Sequence, residues 1–121
     1  MKPGYTGIER IRKASQFSMK GLQAAWEESA FRQEVALGVA LVPLSFWLGQ
    51  TLVETAVLIT SYAIVLIAEL LNTAIEAVVD RVGHEHHDLA GRAKDIASAA
   101  VALSLLLLGA VWALVAAHRF L

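Results

Sequence analysis

A chain of 121 residues has room for one domain. It is 57% hydrophobic and only 17% charged, with a mean hydropathy of +0.59. A soluble domain of this size cannot hide so much apolar surface, and the long apolar runs point to lipid as the solvent. The formal net charge of −1 argues against nucleic acid as a partner. The absence of cysteine excludes disulfides, thiolate metal sites and cysteine nucleophiles.

Residues 1–13 are polar and basic and lack the apolar core and cleavage site of a secretory signal, so the first hydrophobic segment is expected to direct insertion itself. Residues 5–27 predict a surface helix. Ile8, Ile11, Ser15, Ser18, Leu22 and Trp26 follow a three-then-four spacing, and Arg10, Arg12, Lys13, Gln16, Lys20 and Gln23 take much of the rest. A basic amphipathic helix beside a span lies naturally in the headgroup plane. Gly7 and Gly21 weaken it by about 1 kcal/mol each relative to Ala, so it needs lipid or protein contact.

Three spans follow, over 30–48, 52–80 and 92–117, joined by a tight turn at Gly49-Gln50 and a loop at 81–91. Pro43 interrupts the first, which has Arg32 and Glu34 near the headgroups; a re-entrant segment is the alternative there. The third holds an uncharged stretch from Ile96 to Ala117. The expected fold is therefore all-α: a surface helix and three transmembrane helices. Nine of the ten Lys and Arg residues lie within residues 1–34 or around the 81–95 connection, against Arg119 alone at the other face. By the positive-inside rule the N-terminus and the 81–91 loop face the cytoplasm and the C-terminus faces outward. Trp47 and Trp112, at the outer ends of their spans, agree with that orientation.

Glu69, Asn72, Thr73 and Glu76 stand at i, i+3, i+4 and i+7, on one helical face that Asp80 continues. A carboxylate at the bilayer centre costs about 2.5–3.5 kcal/mol on insertion scales, so one within a span is a functional candidate. Glu76 and Asp80 fall at the cytoplasmic boundary, where a solvated helix end explains them; Glu69 is deeper. Glu28 and Glu34 before the first span, and Lys94 and Asp95 opening the third, converge on the same face. Carboxylates from separate helices with basic groups nearby are what a Mg²⁺–nucleotide site needs, because Mg²⁺ is commonly shared between one or two carboxylates and substrate phosphates. No glycine-rich phosphate loop is present. The run His84-Glu85-His86-His87-Asp88 is not a spaced metal-ligand pattern and is expected to contact a soluble ligand at the membrane surface. Ala97, Ser98, Ala99 and Ala100 read as small residues for close helix packing.

At AFRQE (residues 30–34), AELLNTAIEAVVDR (68–81) and GRAKDIASAAV (91–101), with GLQAAW (21–26) and the early Arg10 and Lys13, the chain resembles the prokaryotic diacylglycerol kinases over essentially its whole length. The resemblance implies a homotrimer of the bacterial inner membrane, with its C-terminus in the periplasm, that moves the γ-phosphate of MgATP onto the primary hydroxyl of diacylglycerol to give phosphatidic acid, in lipid recycling. It implies Glu69 as general base supported by Asn72, and Glu28 and Glu76 as Mg²⁺ ligands, with Glu27 the competitor of Glu28. The nucleotide would also meet Arg10, Phe17, Glu85, His86, His87, Lys94 and Asp95. The lipid's path would involve Arg10, Ala14, Met19, Gln23, Trp26, Ala30, Phe31, Arg32, Glu34, Trp47, Thr55, Glu69 and Ser98. Phe17 and His86 stand where the family usually has other aromatics.

Two other readings remain at this stage, besides an undecaprenol kinase of the same family. A small proton-coupled transporter would use Glu69 alone, without explaining the charges gathered at the cytoplasmic face. A scaffold subunit would use them for helix–helix specificity. Three spans give little surface to enclose ATP and a lipid together, so sites shared between chains are expected.

Overall fold

A computed structural model describes residues 4–83 and 88–121. The described residues contain four helices and no strand: α1 Gly7–Ala25, α2 Ser29–Leu48, α3 Leu52–Val82 and α4 Asp88–Phe120. The last three are long and apolar enough to cross a membrane. α3 runs to Val82 and α4 begins at Asp88, so the connection between them is shorter than 81–91. Asp88 in the first turn of α4 favours the early start, since a carboxylate there complements the helix dipole.

α2 continues unbroken through Pro43. Proline donates no N–H, so the turn before it loses one backbone hydrogen bond and softens. The α2–α3 turn is tight for a steric reason: a Cβ at Gly49 would run into the Thr55 hydroxyl and backbone nitrogen. Thr51 then caps α3, its Oγ1 accepting from the Glu54 N–H at 3.1 Å, the Thr-x-x-Glu arrangement of a helix start. Buried Thr55 donates back to the Ser45 carbonyl at 3.2 Å.

α3 is the central element: it packs along α4 and against α2, while α2 and α4 barely meet. The buried set is thin and mixed, with Phe31, Leu48, Leu58, Tyr62, Val65 and Ala97 beside Ser45, Thr55, Ser61, Glu69 and Ser104. Of the small residues at the start of the third span, Ala97 is buried, whereas Ser98, Ala99 and Ala100 are exposed. Val39, Phe46, Leu103, Leu106 and Leu114 are exposed on the long helices, a pattern that lipid tolerates and water does not. In hydrocarbon, helices associate through close packing and interhelical hydrogen bonds. Trp112 Nε1 donates to Ser61 Oγ at 3.2 Å, joining α4 to α3. α1 stands apart, with Ala25 its only buried residue and Ile8, Ile11, Phe17, Met19 and Leu22 exposed.

Candidate active site

The C-terminal half of α3 carries the site. Helical periodicity stacks Glu69, Asn72, Glu76 and Asp80 down one stripe. Glu69 is 7% exposed, although a carboxylate is seldom so buried without a partner. The group beside it comes from α2: the Glu34 and Glu69 carboxyls lie close enough to interact. Glu28 and Glu76 lie within electrostatic reach of the same carboxyl. Four carboxyls from three places in the sequence thus form one acidic centre. Glu34 Oε2 is buried and accepts no hydrogen bond.

Glu28 reaches this centre because α1 ends in a compact turn. Its N–H donates to Ala25 O at 2.9 Å and its carbonyl accepts from Arg32 N at 3.2 Å. Arg32 Nη1 donates to Trp26 O at 2.6 Å, and Trp26 meets Phe31 edge-on with ring centroids 6.3 Å apart. Glu28 opens onto a groove of about 680 Å³ between α1 and α3, lined mainly by Leu22, Ala24, Ala25, Leu70, Thr73 and Ala74. The groove is mainly apolar, with Ser18 and Thr73 its other polar side chains, so it offers a site for an alkyl chain beside a carboxylate.

Asn72 Nδ2 donates to Glu76 Oε1 at 3.3 Å, which turns the amide oxygen inward; Asn72 Oδ1 is buried with no hydrogen-bond partner. A buried orphan acceptor beside carboxylates marks a place where a cation or donor belongs. Among the described residues no group of three His, Cys, Asp or Glu side chains could hold a metal ion on its own. Mg²⁺ asks less of a protein, taking one or two carboxylates and filling its remaining positions with phosphate oxygens and water, and Glu28, Glu76 and the Asn72 amide oxygen are the groups here that could hold it. They do not make an all-protein metal cage.

Lys94 Nζ pairs with Asp80 Oδ1 at 2.7 Å and feels Glu76 as well. Asp80, which the sequence reading leaves as a solvated helix end, is thus the tether for the cation next to the acidic centre. Opposite charges at the facing ends of two helices joined by a short loop were the available signal. Asp95 and Ser98 are exposed on α4, as are Arg10, Ala14, Phe17, Met19 and Gln23 on α1. Lys20 Nζ stands 6.0 Å from the Phe17 ring centroid. Trp26, Ala30 and Arg32 are exposed at the α1–α2 junction, whereas Phe31 is 5% exposed. Thr55 is engaged in the α2–α3 turn and Trp47 lies at the same end of the bundle. Fourteen helical residues separate Thr55 from Glu69, about 21 Å at 1.5 Å per residue. Glu85, His86 and His87 lie outside the described residues.

Residues 16–116 match the family model for prokaryotic diacylglycerol kinase. A protein named diacylglycerol kinase from Escherichia coli strain K12 is 46% identical over 116 residues, covering 95% of each chain. Its namesake from Haemophilus influenzae is 45% identical over 108 residues, covering 88% of this chain and 92% of the relative. That from Pseudomonas aeruginosa is 46% identical over 111 residues, or 91% and 90% of the two chains.

Proposed function

This chain belongs to the prokaryotic diacylglycerol kinase family, and on that premise we propose that it transfers the γ-phosphate of ATP to the primary hydroxyl of diacylglycerol, producing phosphatidic acid at the cytoplasmic face of a bacterial inner membrane. The observation that carries the reading is the buried Glu69 carboxyl with Glu34 against it and Glu28 and Glu76 in reach. A primary alcohol must lose its proton as it attacks phosphorus, and Glu69 is the carboxylate at the right depth to take it. The O–H bond breaks as the new O–P bond forms, the bond to the β-phosphate oxygen breaks, and ADP departs with that electron pair. Glu34, in contact with Glu69, is placed to share the proton.

Glu28 and Glu76 would hold Mg²⁺, with the Asn72 amide oxygen facing the same space. Bound there, the ion would neutralise phosphate charge, which is most of what phosphoryl transfer asks of a protein. Asn72 fixes the rotamer of Glu76 through their hydrogen bond. Lys94, held by Asp80, supplies positive charge to the phosphates, and Asp95, Arg10, Phe17 and the loop residues Glu85, His86 and His87 complete the nucleotide contacts. The lipid hydroxyl meets Glu69 while its acyl chains run outward past Ala30, Phe31 and Ser98 toward Thr55 and Trp47. Ala14, Met19, Gln23, Trp26 and Arg32 line its path from the headgroup level, where α1 lies as an amphipathic surface helix. Glu28 is exposed and Glu76 only half-buried in a single chain, which supports a homotrimer that covers them.

One assay tests the reading: purified protein in mixed micelles with ATP, Mg²⁺ and diacylglycerol. Phosphatidic acid should form and EDTA should abolish it; phosphorylation of undecaprenol and not of diacylglycerol would move the chain to the other branch. No lipid phosphorylation with either acceptor would remove the kinase reading.

A further inference from the structure

Tyr62 lies on α3 two turns before Glu69 and is 7% exposed. Seven residues bring the two onto one face of the helix, the face turned to α2. The Tyr62 hydroxyl donates to the backbone carbonyl of Glu34 at 2.7 Å. Its oxygen also sits against the backbone of Gly38. It fits there because residue 38 has no side chain: a Cβ at Gly38 would overlap the Tyr62 hydroxyl and ring end. Tyr62 thus plugs into a notch on α2, one turn from the residue whose carboxyl meets Glu69.

Pro43 explains why α2 needs this tie. It softens the middle of α2, and α3 grips α2 on both sides of it. Thr55 bonds the Ser45 carbonyl on the outer side, and Tyr62 bonds the Glu34 carbonyl on the cytoplasmic side. The position of Glu34 against α3 therefore depends on the second grip.

We propose that Tyr62, seated in the Gly38 notch, is a positioning residue that holds the Glu34-bearing turn of α2 on α3 and so sets the contact between the Glu34 and Glu69 carboxyls. The proposal rests on the reading of Glu69 as the base. It assigns Tyr62 no contact with substrate, since its hydroxyl is already engaged by the α2 backbone.

Tyr62→Phe keeps the ring and removes the hydroxyl. It should lower kcat about tenfold, the scale of a small misplacement at a reacting centre, with KM for MgATP within about twofold and trimer elution unchanged. Gly38→Ala pushes out the ring end together with the hydroxyl and should give the same pattern with a larger loss. Because both act through one contact, the double variant should lose far less than the product of the two single losses. A kcat for Tyr62→Phe within about twofold of the parent would overturn the proposal, as would a loss confined to thermal stability or fully multiplicative losses in the double variant. A readout independent of turnover uses the absence of native cysteine. Glu34→Cys with Glu69→Cys should cross-link rapidly on oxidation, and Tyr62→Phe in that background should slow the reaction severalfold. Equal rates would sink the positioning role whatever the activity. A parent without lipid phosphorylation but with Tyr62-dependent cross-linking would refute the kinase reading alone.

Discussion

Arg119 Nη1 donates to the carbonyl oxygen of Trp47 at 2.6 Å, and its guanidinium stands 4.8 Å from the Trp47 ring centroid. The same nitrogen reaches the Leu48 carbonyl at 3.3 Å, and the Phe120 ring lies 5.9 Å from that of Trp47. The last residues of α4 thus cap the open C-terminal carbonyls of α2, where a cation also complements the helix dipole. Arg119→Gln should cost about 1–2 kcal/mol and lower the thermal midpoint of the detergent-solubilised protein, with activity at low temperature retained. Arg119→Lys should recover only part, because lysine lacks the planar fork and stacks less well on Trp47. An unchanged midpoint in Arg119→Gln would show that the clamp contributes nothing.

Glu69→Gln keeps the shape of the side chain and removes its capacity to take a proton. It should lower kcat at least about 100-fold, with KM for MgATP little altered, because the proposed nucleotide contacts lie elsewhere. Glu34→Gln should be milder in kcat, since its partner Glu69 remains. Equal losses in the two variants would mean that the pair acts as one unit and that the base is not Glu69 alone.

Lys94 and Asp80 separate a phosphate role from a structural one. Their side chains are 42% and 55% exposed, and ion pairs this open to water contribute little to stability. Lys94→Ala should therefore raise KM for MgATP by about tenfold or more with no fall in thermal midpoint. Asp80→Asn should raise it less, because the cation survives without its tether. Exchanging the two charges should restore the pair but not the affinity. A charge-exchanged protein with parental KM would assign the pair to structure.

The spans were legible because apolar length and the absence of charge leave few alternatives to a membrane helix, and α2, α3 and α4 fall close to the expected segments. The acidic stripe was legible for the same geometric reason: a spacing of three, four and seven requires only that the segment be helical. What the sequence could not yield is where helices touch. Tyr62 reads as one more aromatic in an apolar run, and Gly38 as one more small residue; their pairing depends on the register of α2 against α3. Arg119 reads as an isolated C-terminal charge until the end of α4 is brought beside the end of α2. Asp80 was read as solvated because its partner lies across the loop, and interhelix ion pairs have no period within one helix.

The acidic centre also bears on how active sites are divided between chains. Glu69 and Glu76 sit two turns apart on one α3, and Glu28 from the same chain lies within electrostatic reach of Glu69, so the proposed proton acceptor and the proposed metal ligands can come from one protomer. Asp95 and Ser98 are exposed on α4, available to a neighbour in the proposed trimer. Mixing the inactive Glu69→Gln and Glu76→Gln proteins and allowing chains to exchange should therefore give no regained activity, because every acidic centre remains defective. Mixing Glu69→Gln with an inactive Asp95→Asn protein should restore a fraction of turnover, since some trimers then combine an intact acidic centre with an intact neighbouring α4. Recovery in the first mixture would place Glu69 and Glu76 in different sites. Failure of the second would confine the whole site to one chain.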